Sequence, residues 1–205
     1  APVSRVPGGL VPETVTSLDA ARDEWSTLAA ETGNVFSTWE WSSTWWRHFG
    51  RSKPLLLTAC RTDDGAAVGF LPLYLWRARP FRIVRFLGHA VADQLGPICR
   101  PGDRPAVAAA LERTLAEAKA DVFLGERLAC DEGWSGLLPV TQLKHESSPV
   151  LRFTVGTWDE LLRARSRNFR EQSRRRPAKL AERHDVGYRL ADDADRLARA
   201  DPVED

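Results

Sequence analysis

The sequence predicts an α/β fold, a mixed sheet flanked by helices, with the opening of a second α/β unit behind it. Three observations carry this reading. Apolar runs of strand length alternate with amphipathic stretches of helix length over residues 13–155. Asp63-Asp64-Gly65 separates two of the strand-length runs and reads as a hairpin turn. Residues 157–183 then read as one long capped helix that leads into a strand at 186–190, close to the end of the chain.

Residues 1–12 hold Pro2, Pro7, Gly8, Gly9 and Pro12 and read as an irregular lead-in. Residues 14–18 form a short strand candidate. Asp19 is placed to cap a helix reaching Ala30, with Ala21, Trp25, Leu28 and Ala29 on its inner face. Gly33-Asn34 ends that helix. A second helix over 39–49 carries Trp41, Trp45 and Trp46 and stops at Gly50. Strands follow at 55–61, 66–76 and 81–87, the last closed by Gly88. Asp103 and Pro105 open an alanine-rich helix to about Lys119, since proline is tolerated in a first helical turn. A buried strand at 122–128, a short helix at 131–138 and a strand at 149–153 complete the first unit. The long helix begins with Thr157 and Glu160 at capping-box spacing. Trp158, Leu162, Phe169 and Leu180 fall on one side, and Arg163, Arg167, Arg170 and Arg174 on the other. Pro177 removes one backbone hydrogen bond, so a kink is expected near Arg176.

With 205 residues, 43% of them hydrophobic, the chain can bury a sizeable core. Its formal net charge is only +1, so charge alone does not make it a polyanion binder. The charge is uneven. Residues 163–183 hold eight Arg and one Lys against Glu171 and Glu182, whereas residues 191–205 hold six acids against two arginines. No helix-turn-helix, RNA-recognition or zinc motif is present, so a nucleic-acid partner is not expected. Cys60, Cys99 and Cys130 stand apart without Cys-x-x-Cys spacing, which predicts buried thiols and neither a zinc site nor a disulfide framework. No apolar run approaches the roughly 20 residues of a membrane span. The N-terminus has no signal-peptide core, and a reducing cytoplasm is the expected location. The chain opens on Ala1 and not on Met, which reads as trimmed.

The order β-α-α-β-β-β-α-β-α-β is that of the GNAT (acyl-CoA N-acyltransferase) fold. The wording resembles one branch of it. Asn34-Val35-Phe36-Ser37-Thr38-Trp39-Glu40-Trp41, then Trp45-Trp46 and Phe49-Gly50, is similar to the N-terminal signature of CelD/BcsL (cellulose-biosynthesis) proteins. So are Val68-Gly69-Phe70-Leu71-Pro72-Leu73, Phe86-Leu87-Gly88, Asp93 and Gly96-Pro97, and the arginine-rich helix over 166–180. The resemblance implies a tandem-GNAT arrangement akin to the FemABX aminoacyl transferases. It implies acetyl-CoA or another acyl-CoA as co-substrate, no metal, and a small-molecule or cell-envelope precursor as acceptor. It also implies that the chain stops inside its second GNAT domain, 156–205, and that the missing C-terminal GNAT domain of the same protein binds the donor. The chain lacks the Gln/Arg-x-x-Gly-x-Gly/Ala loop whose backbone N–H groups would cradle a pyrophosphate.

Acyl transfer needs an acceptor held against the acyl carbon and a base for its proton. Asp93 and His89, in the loop bounded by Gly88 and Gly96, are the base candidates; a turn cap for Asp93 and a plain surface position for His89 are the competing readings. Trp41 and Trp46 are candidates for a stacking wall against the acceptor, with Trp41 and Trp45 sharing a helix face at i, i+4. The stripe Arg163, Arg167, Arg170 and Arg174 could meet phosphate groups or form a solvated face. A second basic stretch, Arg77, Arg79, Arg82 and Arg85, would make an anionic ligand credible if both lined one groove. The alternative function is a non-catalytic module that binds an anionic ligand or nucleic acid through the arginine-rich helix.

Overall fold

The structure, a computed structural model, describes residues 9–50, 52–147, 149 and 153–187. The chain divides into two units, 1–145 and 146–205.

The first unit is a mixed α/β fold with helices on both faces of a six-stranded sheet. Its elements are β1 (Val11–Thr14), α1 (Arg22–Ala30), α2 (Trp39–Trp45), β2 (Leu55–Arg61), β3 (Ala67–Ala78), β4 (Phe81–Phe86), β5 (Ile98–Cys99), α3 (Arg104–Glu117), β6 (Val122–Leu124) and α4 (Trp134–Leu137). The sheet order is β1-β2-β3-β4-β6, with β5 pairing β3 beyond the end of β4. The pairs from β1 to β4 are antiparallel, and β4 runs parallel to β6. A parallel neighbour needs a crossover, and α3 lies in it.

Strand β3 is the spine. Residues 69–75, Gly-Phe-Leu-Pro-Leu-Tyr-Leu, are all buried because both faces of the sheet are covered. Phe70 and Tyr74 join Trp25, Leu28, Trp45 and Leu57 on the α1/α2 face. Leu71, Leu73 and Leu75 join Val84, Phe86, Val107, Leu111 and Trp134 on the α3/α4 face. Pro72 is tolerated in this central strand for a local reason. Its carbonyl accepts from Leu87 N, so its missing N–H faces the side where β5 ends and β4 begins.

The inner face predicted for α1 is the one observed: Ala21, Trp25, Leu28 and Ala29 are buried. Several boundaries differ from the sequence reading. The first strand is Val11–Thr14 and not 14–18, and it takes in Pro12 at the sheet edge. Ser17 Oγ accepts from Ala20 N at 3.2 Å and caps the turn before α1, so Asp19 lies inside that turn. The second helix turns into a π-helical turn at Trp46–Gly50. The strand after α3 ends at Leu124, because the chain leaves the sheet at Gly125. The helix expected over 131–138 is split by Gly133 in the left-handed region. Cys60 and Cys99 are buried as expected, and burial pushes each thiol up to about 12; Cys130 is exposed.

The second unit holds α5 (Trp158–Arg163) and α6 (Arg167–Arg183). The long helix is therefore two helices. Thr157 and Glu160 form the predicted capping box on α5. Ser166 is extended, with φ −58° and ψ 155°, and its Oγ accepts from Phe169 N, starting a new helix. The break falls there and not at Pro177, which α6 carries in its interior. The buried side chains of α5 are Leu161 and Leu162, whereas Trp158, Phe169 and Leu180, predicted on the apolar stripe, are exposed. Of the strand expected at 149–153, Pro149 and Phe153 are irregular and the rest lies outside the described residues. The same holds for 186–190, where Val186 and Gly187 are irregular and 188–190 lie outside them. Among the described residues no helix is long and apolar enough to cross a membrane.

Candidate functional site

In a sheet with a parallel pair, the carboxyl ends of the parallel strands are where a crevice opens. Here β4 and β6 pair through Ile83–Val122, Val84–Phe123 and Arg85–Leu124, and then part. Three side chains stand at the parting: Arg85 on β4, His89 just beyond it, and Glu126 just beyond β6.

Register fixes their face. Tyr74 lies opposite Arg85, and Trp76 opposite Ile83, so Tyr74, Trp76 and Arg85 share the α1/α2 face of the sheet. His89 Nδ1 lies 2.5 Å from Glu126 Oε2, and Arg85 Nη1 lies 3.5 Å from the same oxygen. Arg85 Nη1 also lies 3.0 Å from His89 Nδ1 and touches Nε2. Arginine only donates and an ionised carboxylate only accepts, so the tautomer with its proton on Nδ1 satisfies both neighbours at once, Nδ1–H facing Glu126 and Nε2 facing Arg85. Trp45 Nε1 donates to the His89 carbonyl at 3.3 Å, which ties α2 to the end of β4.

The backbone is bent at both sides of this cluster. Gly88 has φ +92°, and a Cβ there would come within 2.8 Å of Leu95 and 3.3 Å of Trp41 Nε1. Ala90, after His89, and Arg127, after Glu126, both sit in the left-handed region at φ 72° and 59°. Non-glycine residues pay about 1 kcal/mol or more to stay there.

An aromatic group borders the cluster. The Arg85 guanidinium carbon lies 4.5 Å from the centre of the Trp76 ring. Trp45 packs at 5.3 Å from Tyr74 and 5.7 Å from Phe49. Burial pushes the Tyr74 phenol above its ordinary range; the Arg85 charge partly offsets this and the Glu126 charge adds to it. Arg85 is itself buried, and among the described residues its Nε has no hydrogen-bond partner.

A cleft lies against residues 94–97 of the 88–97 loop, and none of Arg85, His89 and Glu126 lines it. It holds about 130 Å³ and is bordered by Glu31, Asn34, Gln94, Arg100, Arg104 and Glu132. Its charges are spent on each other. Arg100 grips Glu31 through Nε and Nη2 at 2.8 and 2.7 Å, and Arg104 lies 3.5 Å from Glu132. Glu132 also accepts from Trp134 Nε1 at 2.7 Å. The start of α3 borders this cleft, and a helix N-terminus is where a pyrophosphate would be held. The residues present do not fit that group. Pro105 offers no N–H, Asp103 places a carboxyl at the helix start, and Arg104 is engaged by Glu132.

Within the first unit the predicted site residues are dispersed. His89 belongs to the cluster described above. Asp93 is exposed, and among the described residues it makes no hydrogen bond or ion pair with His89. Trp41 is half-buried, edge-on to Phe36 at 4.7 Å, and its buried Nε1 has no partner among the described residues. Trp41 and Trp45 lie one turn apart on α2 and both reach the 88–89 turn, as their i, i+4 spacing predicts, while Trp41 packs against the α3/α4 core cluster and Trp45 belongs to the α1/α2 one. The Trp46 ring covers Gly50, where a Cβ would meet it at 2.2 Å. Within the second unit, Arg163 Nε donates to Asp159 O, Arg167 pairs with Glu171 at 2.9 Å, and Arg170 Nη1 donates to Arg165 O at 2.6 Å. Arg174 is exposed on α6. The Arg77–Arg85 stretch splits by strand alternation, with Arg77 and Arg82 paired on the face opposite to Arg85.

Sequence reasoning missed Glu126 and the separate role of Arg85. The signal for Arg85 was available: a charge between Val84 and Phe86, at a strand end, inside an apolar run. Nothing local marked Glu126, which matters only because β6 pairs parallel to β4. Among the described residues no group of three or more His, Cys, Asp or Glu is arranged to hold a metal ion.

No protein-family model matches the chain, and no curated protein matches it significantly. Among solved structures it is similar to a crystal structure of a probable acetyltransferase, with 15% identity, coverage of 70% of this chain and 99% of that one, and a TM-score of 0.38. At that identity and score, the activity has to be argued from the chain itself.

Proposed function

We propose that the chain is the acceptor-side part of a GNAT-type acyltransferase. The donor in this reading is acetyl-CoA or a related acyl-CoA, and the acceptor an amine or hydroxyl of a cell-envelope or polysaccharide-related molecule. One observation supports it above the others. An antiparallel run from β1 to β4 turns into a parallel β4–α3–β6 crossover, and a carboxylate-held imidazole stands where the parallel strands part. The resemblance carried by residues 34–50, 68–73 and 86–97 supplies the donor and acceptor classes.

In this reading Glu126 fixes the His89 tautomer by accepting from Nδ1–H, as an orienting carboxylate does for a general base. Nε2 then takes the acceptor's proton once Arg85 Nη1 gives way from it. Asp93, exposed in the same loop, is the second candidate for that role. The start of α3 does not fit an acyl-CoA pyrophosphate, so the donor is assigned to a following GNAT domain of the same protein.

Calorimetric titration of acetyl-CoA into the 205-residue chain, and into a chain extended through the reading frame that follows, tests this. Saturable binding by the extended chain alone is expected. Binding by the 205-residue chain would move the donor site into it and remove the acceptor-side assignment. Binding by neither would overturn the acyl-CoA reading.

A further inference from the structure

Arg85 has more hydrogen-bonding capacity than its surroundings use. It is 9% exposed, and Nη1 alone meets His89 and Glu126. Nε is buried, with no partner among the described residues. A buried donor left unmade is costly, and more so when the group is charged, so a cation is seldom held this way without an oxygen to receive it.

The shape of the guanidinium says which oxygen. Nε–H and Nη2–H lie side by side along one edge, the edge that takes two oxygens of a carboxylate or a phosphate in parallel. Nη1 lies outside that edge, so the contacts to His89 and Glu126 leave the Nε–H unspent. The neighbouring wall is aromatic: Trp76 stacks on the guanidinium at 4.5 Å and is itself 39% exposed. Glu126 is the opposing feature. Its carboxylate, 3.5 Å from Nη1, repels any second anion that approaches Arg85.

We infer that the Nε edge of Arg85 is a subsite for an oxyanion, a carboxylate or a phosphate, borne on a planar or apolar body that lies against Trp76. This subsite does not depend on acyl transfer. Failure of acetyl-CoA to bind leaves it standing, and its own failure leaves the acyltransferase reading standing.

The probes are phenylacetate and phenyl phosphate, with neutral phenylacetamide as control, titrated into the full chain. The Arg85 Nε–H resonance in nitrogen-15-edited NMR is the readout. At least one of the two acids should shift that resonance saturably, and the amide should not. The acid that binds more tightly assigns the head group as carboxylate or phosphate. Arg85→Lys keeps the charge but loses the paired edge, so binding followed by tryptophan fluorescence should weaken about tenfold. Glu126→Gln removes the repelling charge and should tighten binding several-fold, a gain that a folding defect would not produce. Four results would each overturn the proposal: no saturable shift with either acid, equal binding of the amide, wild-type affinity in Arg85→Lys, or weaker binding in Glu126→Gln. Should Arg85→Lys not fold, the amide control and Glu126→Gln still decide.

Discussion

His89 shows how one side chain acquires a role from several elements at once. Its position follows from β4, its carbonyl is held by Trp45 of α2, and its ring is held by Glu126 beyond β6. Neither Trp45 nor Glu126 is near it in sequence. Replacing His89 by Gln keeps a donor near Glu126 but removes a nitrogen that can take a proton. Under the acyltransferase reading, His89→Gln in the active, extended enzyme should lower kcat about 100- to 10,000-fold with little change in the KM for the acyl donor. A kcat within twofold or so of wild type would remove His89 from the reaction and leave the base role to Asp93. At this scale the sequence was half legible. The residue type and the glycine-bounded loop pointed to His89. The side chains that decide its proton did not show, because parallel pairing of β4 and β6 is a long-range fact with no local pattern.

At the level of elements, capping and alternation did most of the predicting. The buried face of α1, the strand at Leu55–Arg61 and the capping box at Thr157 were readable because each rests on contacts a few residues apart. The break at Ser166 was hidden by an apolar pattern that ran on past a good cap. Pro177 misled in the opposite sense. It sits in an exposed helix with no buried residue, where the carbonyl it leaves unpaired can turn to water, so α6 continues through it. Its cost remains, at about 3 kcal/mol relative to Ala in a helix interior. Pro177→Ala should therefore slow amide hydrogen exchange through the middle of α6, and unchanged exchange rates would show that the proline is not what limits that helix. The sheet edge offers a pH test. Arg61, at the end of β2, holds both oxygens of Glu24 on α1 at 2.9 Å and also pairs with Glu13 on β1. The Arg61 hydrogen bond holds the Glu24 carboxyl below its ordinary value of 4.5, against a smaller opposing effect of burial. A lowered native value means stability that is present above the unfolded pKa and lost as pH falls through the folded one. Urea midpoints should thus drop between roughly pH 5 and pH 3, and Arg61→Gln should flatten part of that limb. An unchanged acid slope in the variant would show that the link between α1 and the edge strands carries no pH-dependent stability.

For the whole molecule, the order of helices and strands was legible through the first unit, while β5 was not. Two residues of strand, Ile98 and Cys99, are too few to make a periodic pattern. The division between the units was also hard to place, because no linker composition marks it. The sequence set the change near 155, whereas the structure divides at His145 and Glu146. Residues 139–147 are irregular and exposed, and Leu143 is 83% exposed, the highest value among the large exposed hydrophobic side chains described. An exposed, irregular stretch between two units is where a protease finds extended backbone. Brief chymotrypsin treatment should cut first at Leu143 or Phe153 and leave a resistant fragment that contains the six-stranded sheet. That fragment should keep the near-ultraviolet signal of its buried Trp25 and Trp134, since both pack within the first unit. Early cutting inside β3 or α3, or loss of that signal on cleavage at Leu143 or Phe153, would mean that the sheet does not hold together without the residues beyond it.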